Sequence, residues 1–362
     1  MSLHFMRYLK SAVQYVALAA CLIGLLLPII AAAKEAPPPV IRLAGQGNAA
    51  GTPYGSAVIG VLRARHYLED EFKADGVKIE WQFPRGTGPA INEGLASGQI
   101  DFANYGGLPN IVGRGAGLQT KILASYGTSP VYVIVRDGAN IGTLKDLKGK
   151  KVTVSRGTIL ELSLNTLLHG AGLKESDVQL FDLKAADQVT ALTSGDVDAI
   201  VGLSDLLVLR DKGIGKIIYS TKGRIDPANL FGSFVVTEQF ARKYPETTQR
   251  VVNNFVKAAQ FASQEANRDE LIKLWELTGI PRQAIVDDYK GDVLAERLSP
   301  LPDDFYIGNL KRGIAFAQEQ KLIRKPIDLA TWLDTSFLNK AIAQAGAARD
   351  WKPRDANGKP KS

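Results

Sequence analysis

Short apolar runs alternate with Gly-rich turns and amphipathic stretches from residue 40 to about residue 236. This alternation predicts an α/β fold in which helices cover both faces of a largely parallel sheet. The first set of predicted strands is Ile41–Gly45, Val77–Phe83, Ile100–Ala103 and Lys121–Ser125. The pattern then restarts, with strands predicted at Val131–Val135, Val152–Ser155, Val178–Leu183, Ala199–Val201, Ile217–Tyr219 and Phe231–Val236.

The last third of the chain has a helical pattern. Apolar positions at helical spacing predict helices at about 238–265, 269–278, 282–290, 303–321 and 328–345. Prolines stand near the helix starts, where they are tolerated. Residues 347–362 are polar, basic and poor in apolar side chains, which predicts a flexible tail.

One sequence motif occurs twice, with small differences. Ser97-Gly98-Gln99-Ile100-Asp101-Phe102-Ala103 and Ser194-Gly195-Asp196-Val197-Asp198-Ala199 each predict a helix that ends at Gly and a turn that starts a buried strand. The repeat predicts two similar lobes, with lobe I at 40–128 plus 232–346 and lobe II at 129–231. The chain would then cross between lobes near Tyr126–Pro130 and Ala228–Ser233, and two crossings are typical of a hinge.

The N-terminus has the features of an export signal. Arg7 and Lys10 precede an almost wholly apolar stretch over 11–30, and Ala31-Ala32-Ala33 offers a cleavage site, so residues 1–33 are predicted to be a signal peptide of a periplasmic protein. Two alternatives stay open. Leu18-Ala19-Ala20-Cys21 resembles a lipoprotein box, and the apolar stretch could also be retained as an uncleaved anchor.

Composition narrows the possible chemistry. The chain has 362 residues, of which 45% are apolar, enough for more than one domain. Cys21 is the only cysteine, so cleavage after Ala33 would leave neither a disulfide nor a thiol nucleophile. Removing residues 1–33 takes away two basic and no acidic residues, which leaves 42 − 37 = +5. That mild excess suits an anionic ligand and equally an ordinary soluble surface.

Metal, nucleic-acid and catalytic motifs are missing from the sequence. His66 and His169 lie far apart without the spacing of a metal site, and basic residues are not interleaved with aromatics as in nucleic-acid binding. Arg85-Gly86-Thr87-Gly88 lacks the Gly-Lys-Ser/Thr ending of a phosphate loop. We therefore expect no catalytic residue, no metal and no cofactor, and we expect a monomer.

Candidate site residues lie in six loops that follow predicted strands. Ligands of open α/β sheets bind beyond the carboxyl ends of the strands, and a helix N-terminus there favours a sulfonate, carboxylate or phosphate. Arg85 and Arg156 fall in loops of different lobes and could grip an anion together, whereas Asp205 could instead cap its helix. The predicted ligand-binding residues are Gln46, Asn48, Arg85, Gly86, Thr87, Tyr105, Gly106, Ser129, Arg156, Gly157, Thr158, Ser204 and Asp205.

The two phrases, together with Asp146-Leu147-Lys148-Gly149-Lys150-Lys151-Val152 and the following Arg156-Gly157-Thr158 turn, form an ordered set. In this order the chain resembles, from about residue 40 to 345, the periplasmic solute-binding proteins of ABC importers in the nitrate–sulfonate–taurine group. The resemblance implies a type II two-lobe fold with a helical C-terminal extension. It also implies capture of a small anion by hinge closure and delivery to a membrane permease with its ATPase.

One segment departs from the sulfonate binders of that family. Where they usually have a Trp-containing segment with Asp-Pro, this chain has Gly202-Leu203-Ser204-Asp205-Leu206-Leu207, which keeps the Asp only. The leading hypothesis is a sulfonate-type anion. A thiamine-pyrimidine precursor is a second candidate ligand, although its site would need more aromatic side chains to stack on the ring than these loops offer. A desulfinase-like enzyme on the same fold is a third reading, but those enzymes depend on a cysteine.

Overall fold

Ten strands form two five-stranded sheets in the computed structural model, which describes residues 35–47 and 52–361. The first sheet has the order β2-β1-β3-β10-β4 and the second β7-β6-β8-β5-β9. The strands of the first sheet are β1 Val40–Gly45, β2 Lys78–Gln82, β3 Phe102–Gly106, β4 Thr120–Ser129 and β10 Leu230–Thr237. Those of the second are β5 Tyr132–Arg136, β6 Lys151–Val154, β7 Gln179–Asp182, β8 Ala199–Gly202 and β9 Gly215–Ser220.

Each sheet is mainly parallel, with one strand reversed. β10 runs antiparallel to β3 and β4, and β5 runs antiparallel to β8 and β9. The chain passes from the first sheet to the second between Ser129 and Tyr132, and returns between Ser220 and Leu230. We call the first sheet with its helices lobe I and the second lobe II. The exact residues at which one lobe gives way to the other stay a prediction.

Helices cover both sheets. Lobe I carries α1 Ala57–Ala64, α2 Tyr67–Phe72, α3 Thr87–Ala96 and α4 Gly107–Gly115 before the first crossing, and lobe II carries α5 Ile159–Gly170, α6 Ala185–Ser194 and α7 Leu207–Asp211. After β10 follow α8 Glu238–Lys243, α9 Pro245–Ser263, α10 Arg268–Trp275, α11 Arg282–Tyr289, α12 Leu294–Arg297, α13 Asp304–Glu319, α14 Leu329–Trp332 and α15 Ser336–Gln344. Pro245 is the first residue of α9, where its missing N–H costs no helical hydrogen bond.

The repeated phrase has a structural role. Asp101 accepts the N–H of Arg42 at 2.9 Å, and Asp198 accepts that of Lys151 at 3.0 Å. Arg42 lies in β1 and Lys151 begins β6, so each aspartate ties its own strand to the equivalent neighbouring strand of its sheet. The same sequence device therefore sets the strand register at the same place in both lobes.

Apolar packing is continuous across the two lobes. One buried cluster unites Tyr105 and Ile111 of lobe I with Val154, Ile159 and Leu162 of lobe II. A second cluster lies within lobe I, where α9 packs on the face of the sheet that carries Phe102 and Phe234, and α10 packs on α1. Burial of apolar surface of this extent is the main stabilising contribution to the fold.

The predicted flexible tail is wrong for residues 347–361. Trp351 is 4% exposed, and its Nε1 donates to Ser263 Oγ at 2.8 Å. The guanidinium of Arg354 pairs with the buried carboxylate of Asp303 at 2.8 Å. One aromatic anchor and one buried ion pair hold a segment whose overall composition is polar.

Candidate functional site

Three helices begin at one edge of the first sheet. β1, β2 and β3 are parallel, so their carboxyl ends meet at the same edge, and α1, α3 and α4 follow them. The loops are in close contact there. A Cβ on Gly55, just before α1, would lie 3.1 Å from the ring of Phe83, and one on Gly88 of α3 would collide with Pro109 of α4. The three helix N-termini therefore form one continuous surface.

The starts of these three helices lack the usual side-chain caps. The N-cap residues Ser56, Gly86 and Gly106 make no side-chain hydrogen bond to the helix, and no acidic residue lies in the first turn of any of them. The first-turn N–H groups of a helix have no partner within the helix and carry partial positive charge. Apart from Thr87, whose N–H donates to Pro84 O at 2.9 Å, these helix starts are therefore suited to accept an anion from outside the protein.

Backbone strain marks two of the three starts. Ala57, the first residue of α1, has φ 55°, and Thr87, the first residue of α3, has φ 50°. The left-handed region costs a non-glycine residue roughly 1–2 kcal/mol. Strain of this kind is typical of binding sites, where surrounding contacts hold the backbone in a required shape.

Arg85 lies immediately before α3 with its side chain exposed. Within residues 35–47 and 52–361 it forms no ion pair with a carboxylate. A guanidinium without a partner beside uncapped helix N-termini adds a full positive charge to their partial charges. We call the first turns of α1, α3 and α4, together with Arg85, the lobe I cluster.

The corresponding helix start in lobe II is already capped. Thr158 is the N-cap of α5 and accepts the N–H of Leu160 at 3.3 Å. The Glu161 carboxylate, 6% exposed, accepts the N–H of Gly157 at 2.8 Å and pairs with Arg156 Nε at 2.9 Å. The carboxylate of Glu161 therefore already provides a negative charge at this helix N-terminus, in the place where an anionic ligand would otherwise bind.

Arg156 and Thr158, two predicted anion contacts, have partners within the protein in this structure, and their contact with an anion stays a prediction. Arg156 also pairs with Glu175 at 3.1 Å, so two carboxylates share its guanidinium. The Thr158 hydroxyl donates to Ser155 O at 2.7 Å in addition to its capping role. Gly157 has φ +71°, which favours glycine, but its N–H is taken by Glu161. These residues lie at the predicted edge of the sheet, but their polar groups bond to other groups of the protein.

The two edges lie against each other in this structure. A Cβ on Gly106 would lie 2.9 Å from Ile159 Cγ2, and one on Gly157 would lie 3.3 Å from Pro89 Cγ. Both pairs join lobe I to lobe II. The facing edges also border a half-open pocket of about 230 Å³ beside the first turns of α3 and α4. The strand edges of the two lobes that carry Gly106 and Gly157 are therefore in contact in this structure.

The predicted position of Tyr105 in a loop is wrong. The sequence interpretation put it in a loop, but β3 continues to Gly106 and Tyr105 is fully buried. Its hydroxyl donates to Asn92 Oδ1 at 2.9 Å and lies 3.2 Å from Asn110 Oδ1. Burial raises the pKa of this phenol, so the ring stays neutral. Tyr105 supports the start of α4 from inside and has no free hydroxyl for a ligand.

The next three predicted contacts are Ser129, Gln46 and Asn48. Ser129 is the last residue of β4, opposite Leu230 at the crossing between sheets. Gln46 follows β1 and is half-buried at the lobe I edge. Asn48 lies outside the described residues.

Ser204 and Asp205 form a short turn after β8 that packs against α11 of the C-terminal extension. Burial raises the pKa of Asp205, and the nearby Asp288 carboxylate raises it further, while the backbone amides of Leu203, Asp205 and Leu206 oppose the rise. Ser204 and Asp205 thus contribute to the contact between the lobes in this structure, and their contact with a ligand stays a prediction.

Glu161 is the functional residue that the sequence analysis missed. Thr158-Ile159-Leu160-Glu161 has the Thr-x-x-Glu spacing of a capping box, in which the glutamate turns back onto the helix start. That signal was present in the sequence. The Arg156–Glu175 pair, in contrast, joins residues that no local motif connects.

Other site types find no support within the described ranges. No group of three or more His, Cys, Asp or Glu side chains there could hold a metal ion. None of the helices described is long and apolar enough to cross a membrane. The predicted signal peptide and Cys21 fall among residues 1–34, outside the described part.

Comparisons with known proteins identify the family and the fold of the chain. Residues 68–268 match the family model described as NMT1/THI5 like. A protein named as an aliphatic sulfonates-binding protein from Bacillus subtilis is 26% identical over 294 residues, which cover 80% of this chain and 86% of the relative. A periplasmic sulfonate-binding protein SsuA from Methylobacillus flagellatus has a crystal structure with a TM-score of 0.77 and 30% identity, covering 89% of this chain and 98% of that one.

The fold is shared with an enzyme as well. The desulfurization enzyme DSZB, in complex with biphenyl-2-sulfinic acid, aligns with a TM-score of 0.66 at 19% identity, over 84% of this chain and 99% of that one. A likeness at that identity shows the fold alone. The family match covers more than half of the chain, and the SsuA structure confirms the predicted type II two-lobe fold. The chain therefore belongs to the NMT1/THI5-like family, among the solute-binding proteins of ABC importers.

Proposed function

We propose that this protein captures a small organic sulfonate between its lobes and delivers it to a membrane permease with its ATPase. The observation that carries the proposal is the lobe I cluster, in which three uncapped helix starts lie together with Arg85, an arginine that pairs with no carboxylate in residues 35–47 and 52–361. A sulfonate has three oxygens around one sulfur and a single charge. Three helix starts can each donate an N–H to one of its oxygens.

The energetics of this seat favour an anionic ligand over a neutral one. Hydrogen bonds from backbone N–H groups to an oxyanion are shorter and stronger than neutral ones. The helix dipoles add roughly half a positive charge each, and Arg85 adds a whole one.

Closure of the lobes would complete the site. The two sheets are joined by two segments, 130–131 and 221–229, and two crossings allow hinge motion with a defined direction. A ligand that touches both edges binds the closed form better than the open form. It therefore shifts the population towards the form that a permease recognises.

The competing ligand and enzyme hypotheses have weaker support. A pyrimidine ring would need free aromatic faces, but the Arg63 guanidinium lies over the rings of Tyr54 at 4.5 Å and Phe83 at 5.2 Å near the lobe I edge. A desulfinase reaction of the known kind needs a cysteine, and the chain's one cysteine, Cys21, lies in the predicted export segment. Both hypotheses become outcomes of the same test.

Isothermal titration of the purified, ligand-stripped protein tests the proposal. The panel holds ethanesulfonate, taurine, benzenesulfonate, sulfate, nitrate, acetate and 4-amino-5-hydroxymethyl-2-methylpyrimidine, with sulfite release measured in parallel. We expect micromolar or tighter binding of at least one sulfonate, at least tenfold weaker binding of sulfate and acetate, and no sulfite. Binding of the pyrimidine alone, or sulfite release with turnover, would contradict the proposal.

A further inference from the structure

Arg63 lies in the last turn of α1, half-buried, with three aromatic rings around its guanidinium. The guanidinium carbon lies 4.5 Å from the ring centre of Tyr54, 5.2 Å from that of Phe83 and 5.8 Å from that of Trp81. These distances are within the range of cation–π attraction. Arg63 also donates from Nη1 to the carbonyl oxygen of Pro53. It pairs with no carboxylate in the part of the chain that the structure describes, so aromatic rings and a backbone carbonyl hold this charge.

The partners of Arg63 belong to two different segments of lobe I. Pro53 and Tyr54 lie in the loop before α1, whereas Trp81 lies in β2 and Phe83 follows it, in the segment that leads to α3. A side chain on a helix leans towards the N-terminus of that helix, so Arg63 reaches back along α1 to both segments. One side chain therefore connects the segments that precede two of the three helix starts of the lobe I cluster.

Glycines allow these segments to pack closely enough for one arginine to contact both. A Cβ on Gly45, at the end of β1, would collide with the ring of Phe83, and one on Gly55 would lie 3.1 Å from that ring. A Cβ on Gly60, in the middle of α1, would collide with the carbonyl oxygen of Gly55. A side chain at these positions would push the loop before α1 away from the helix and away from Arg63.

The two helix starts that follow these segments are the ones with a strained backbone. Ala57 has φ 55° and Thr87 has φ 50°, whereas Gly106, which precedes α4, has an ordinary φ of −61°. Strain persists only where the surrounding contacts hold the backbone in place. Trp275 donates to the carbonyl oxygen of Ala57 at 3.1 Å and fixes this start from the side of the helix. Arg63 holds the loop on the other side.

We propose that Arg63 is a positioning residue for anion binding. It holds the segments before α1 and α3 in the shape that directs their first-turn N–H groups to one ligand, and it does not touch the ligand itself. This inference rests on the proposed function. Without the guanidinium the protein folds, but both segments are ordered in a smaller fraction of the molecules, and the apparent affinity falls by that fraction. The start of α4 keeps its shape.

Backbone ¹⁵N order parameters of the ligand-free protein test the positioning directly. Arg63→Met keeps an unbranched apolar stem and removes the guanidinium. The order parameters of Gly55 and Gly86 should fall from about 0.85 to below about 0.6, while those of Gly107 and of α9 stay near the value of a rigid backbone. Unchanged values at Gly55 and Gly86 would overturn the proposal. A uniform fall throughout lobe I would also overturn it, because it would show a general loss of stability.

Titration calorimetry with ethanesulfonate, taurine and benzenesulfonate tests the effect on binding. Arg63→Met should raise the Kd of whichever of these the wild type binds about ten- to thirtyfold. The loss should be equally large in about 25 mM and about 500 mM NaCl, because it comes from the order of the loops and is not screened. A loss that disappears in high salt would show that only the charge of Arg63 acts on the anion, which would overturn the proposal.

Arg65→Met is the matched control on the same helix. The guanidinium of Arg65 lies 4.2 Å from the ring centre of Phe261 in α9 and pairs with Glu270 in α10, away from the two segments. Both variants should lower the melting temperature by a few degrees, but Arg65→Met should change the Kd less than twofold. Equal losses of affinity in the two variants would contradict the proposal. If the wild type binds none of the three sulfonates, the proposed function fails, and the order parameters still decide whether Arg63 positions the two segments.

Discussion

At the scale of single residues, the two arginines predicted to grip an anion differ in their surroundings. Arg85 is exposed and has no carboxylate partner among the described residues, whereas Arg156 is shared between Glu161 and Glu175. A guanidinium that is already paired must break those contacts before it can hold a ligand. We therefore expect the charge that matters for binding to belong to lobe I.

Arg85→Ala should raise the Kd of a bound sulfonate about five- to tenfold, since a charge-assisted contact in a partly exposed site is lost. Arg156→Ala, which removes the same side chain from the opposite edge, should change the Kd less than twofold. Titration calorimetry of the two variants side by side measures the difference. A larger loss for Arg156→Ala would place the anion in lobe II instead.

Asp205 provides a pH-dependent prediction at the same scale. Its pKa is raised in the folded protein, so the folded state binds the proton more tightly than the unfolded state does. Its charged form therefore destabilises the fold, and this destabilisation grows as pH rises through the window above the ordinary carboxyl pKa. Asp205→Asn should raise the melting temperature at pH 7.5, and the gain should vanish near pH 4. A gain that persists at pH 4 would show that charge is not the cause.

At the scale of elements, a buried ionic network joins β5 of lobe II to α11 and α12 of lobe I. The Tyr132 hydroxyl donates to Asp288 at 2.6 Å, and Asp288 pairs with Arg297, which is 7% exposed and lies 3.6 Å over the Tyr289 ring. Burial alone would lower the pKa of Arg297, but the nearby Asp288, Tyr289 and Asp292 outweigh it and raise the pKa. The C-terminal helices thus hold the two lobes together near the hinge.

Asp288→Ala should cost about 3–5 kcal/mol in the free energy of unfolding, because it leaves the Arg297 guanidinium buried without its main partner. Tyr132→Phe removes only the hydroxyl from the same network and should cost about 1 kcal/mol. Urea unfolding followed by circular dichroism gives both values. Equal effects for the two variants would mean that the ion pair itself contributes little.

Sequence patterns predict the positions of strands and helices better than they predict which distant residues come into contact. All ten strands were predicted, because a period of two and β-branched residues are local signals. Tyr105 was misplaced because nothing local shows that Gly106 still pairs with Gly232. Arg354 and Asp303 are 51 residues apart, so their pairing was not visible either. Glu161 could have been found from its capping-box spacing.

At the scale of the whole molecule, the end of the chain belongs to lobe I. Trp351 is part of the second apolar cluster and Arg354 is paired with Asp303, so the segment after α15 packs on the sheet unit rather than leaving it. A buried Trp contributes several kilocalories per mole through apolar contact. The C-terminal segment therefore stabilises the lobe that carries the proposed anion seat.

Truncation after residue 346 should lower the free energy of unfolding by about 3–5 kcal/mol, mostly through loss of Trp351, and Trp351→Ala should reproduce most of that loss. The double substitution Asn357→Ala and Lys359→Ala, at two exposed positions of the same segment, serves as the control and should have no measurable effect. Differential scanning calorimetry compares the variants. Unchanged unfolding of the truncated chain would show that the tail does not stabilise the protein.

The central claim is that an anionic ligand rests on the helix starts of lobe I and not on that of lobe II. Amide chemical-shift mapping by TROSY NMR, during titration of labelled protein with hexanesulfonate, tests it most directly. We predict that the amides of Ala57, Gly88 and Gly107 move strongly downfield, as N–H groups do when they donate to an oxyanion, while Gly157 and Leu160 keep their partners and move little. The largest downfield shifts at Gly157 and Leu160, with the lobe I amides unmoved, would contradict the account.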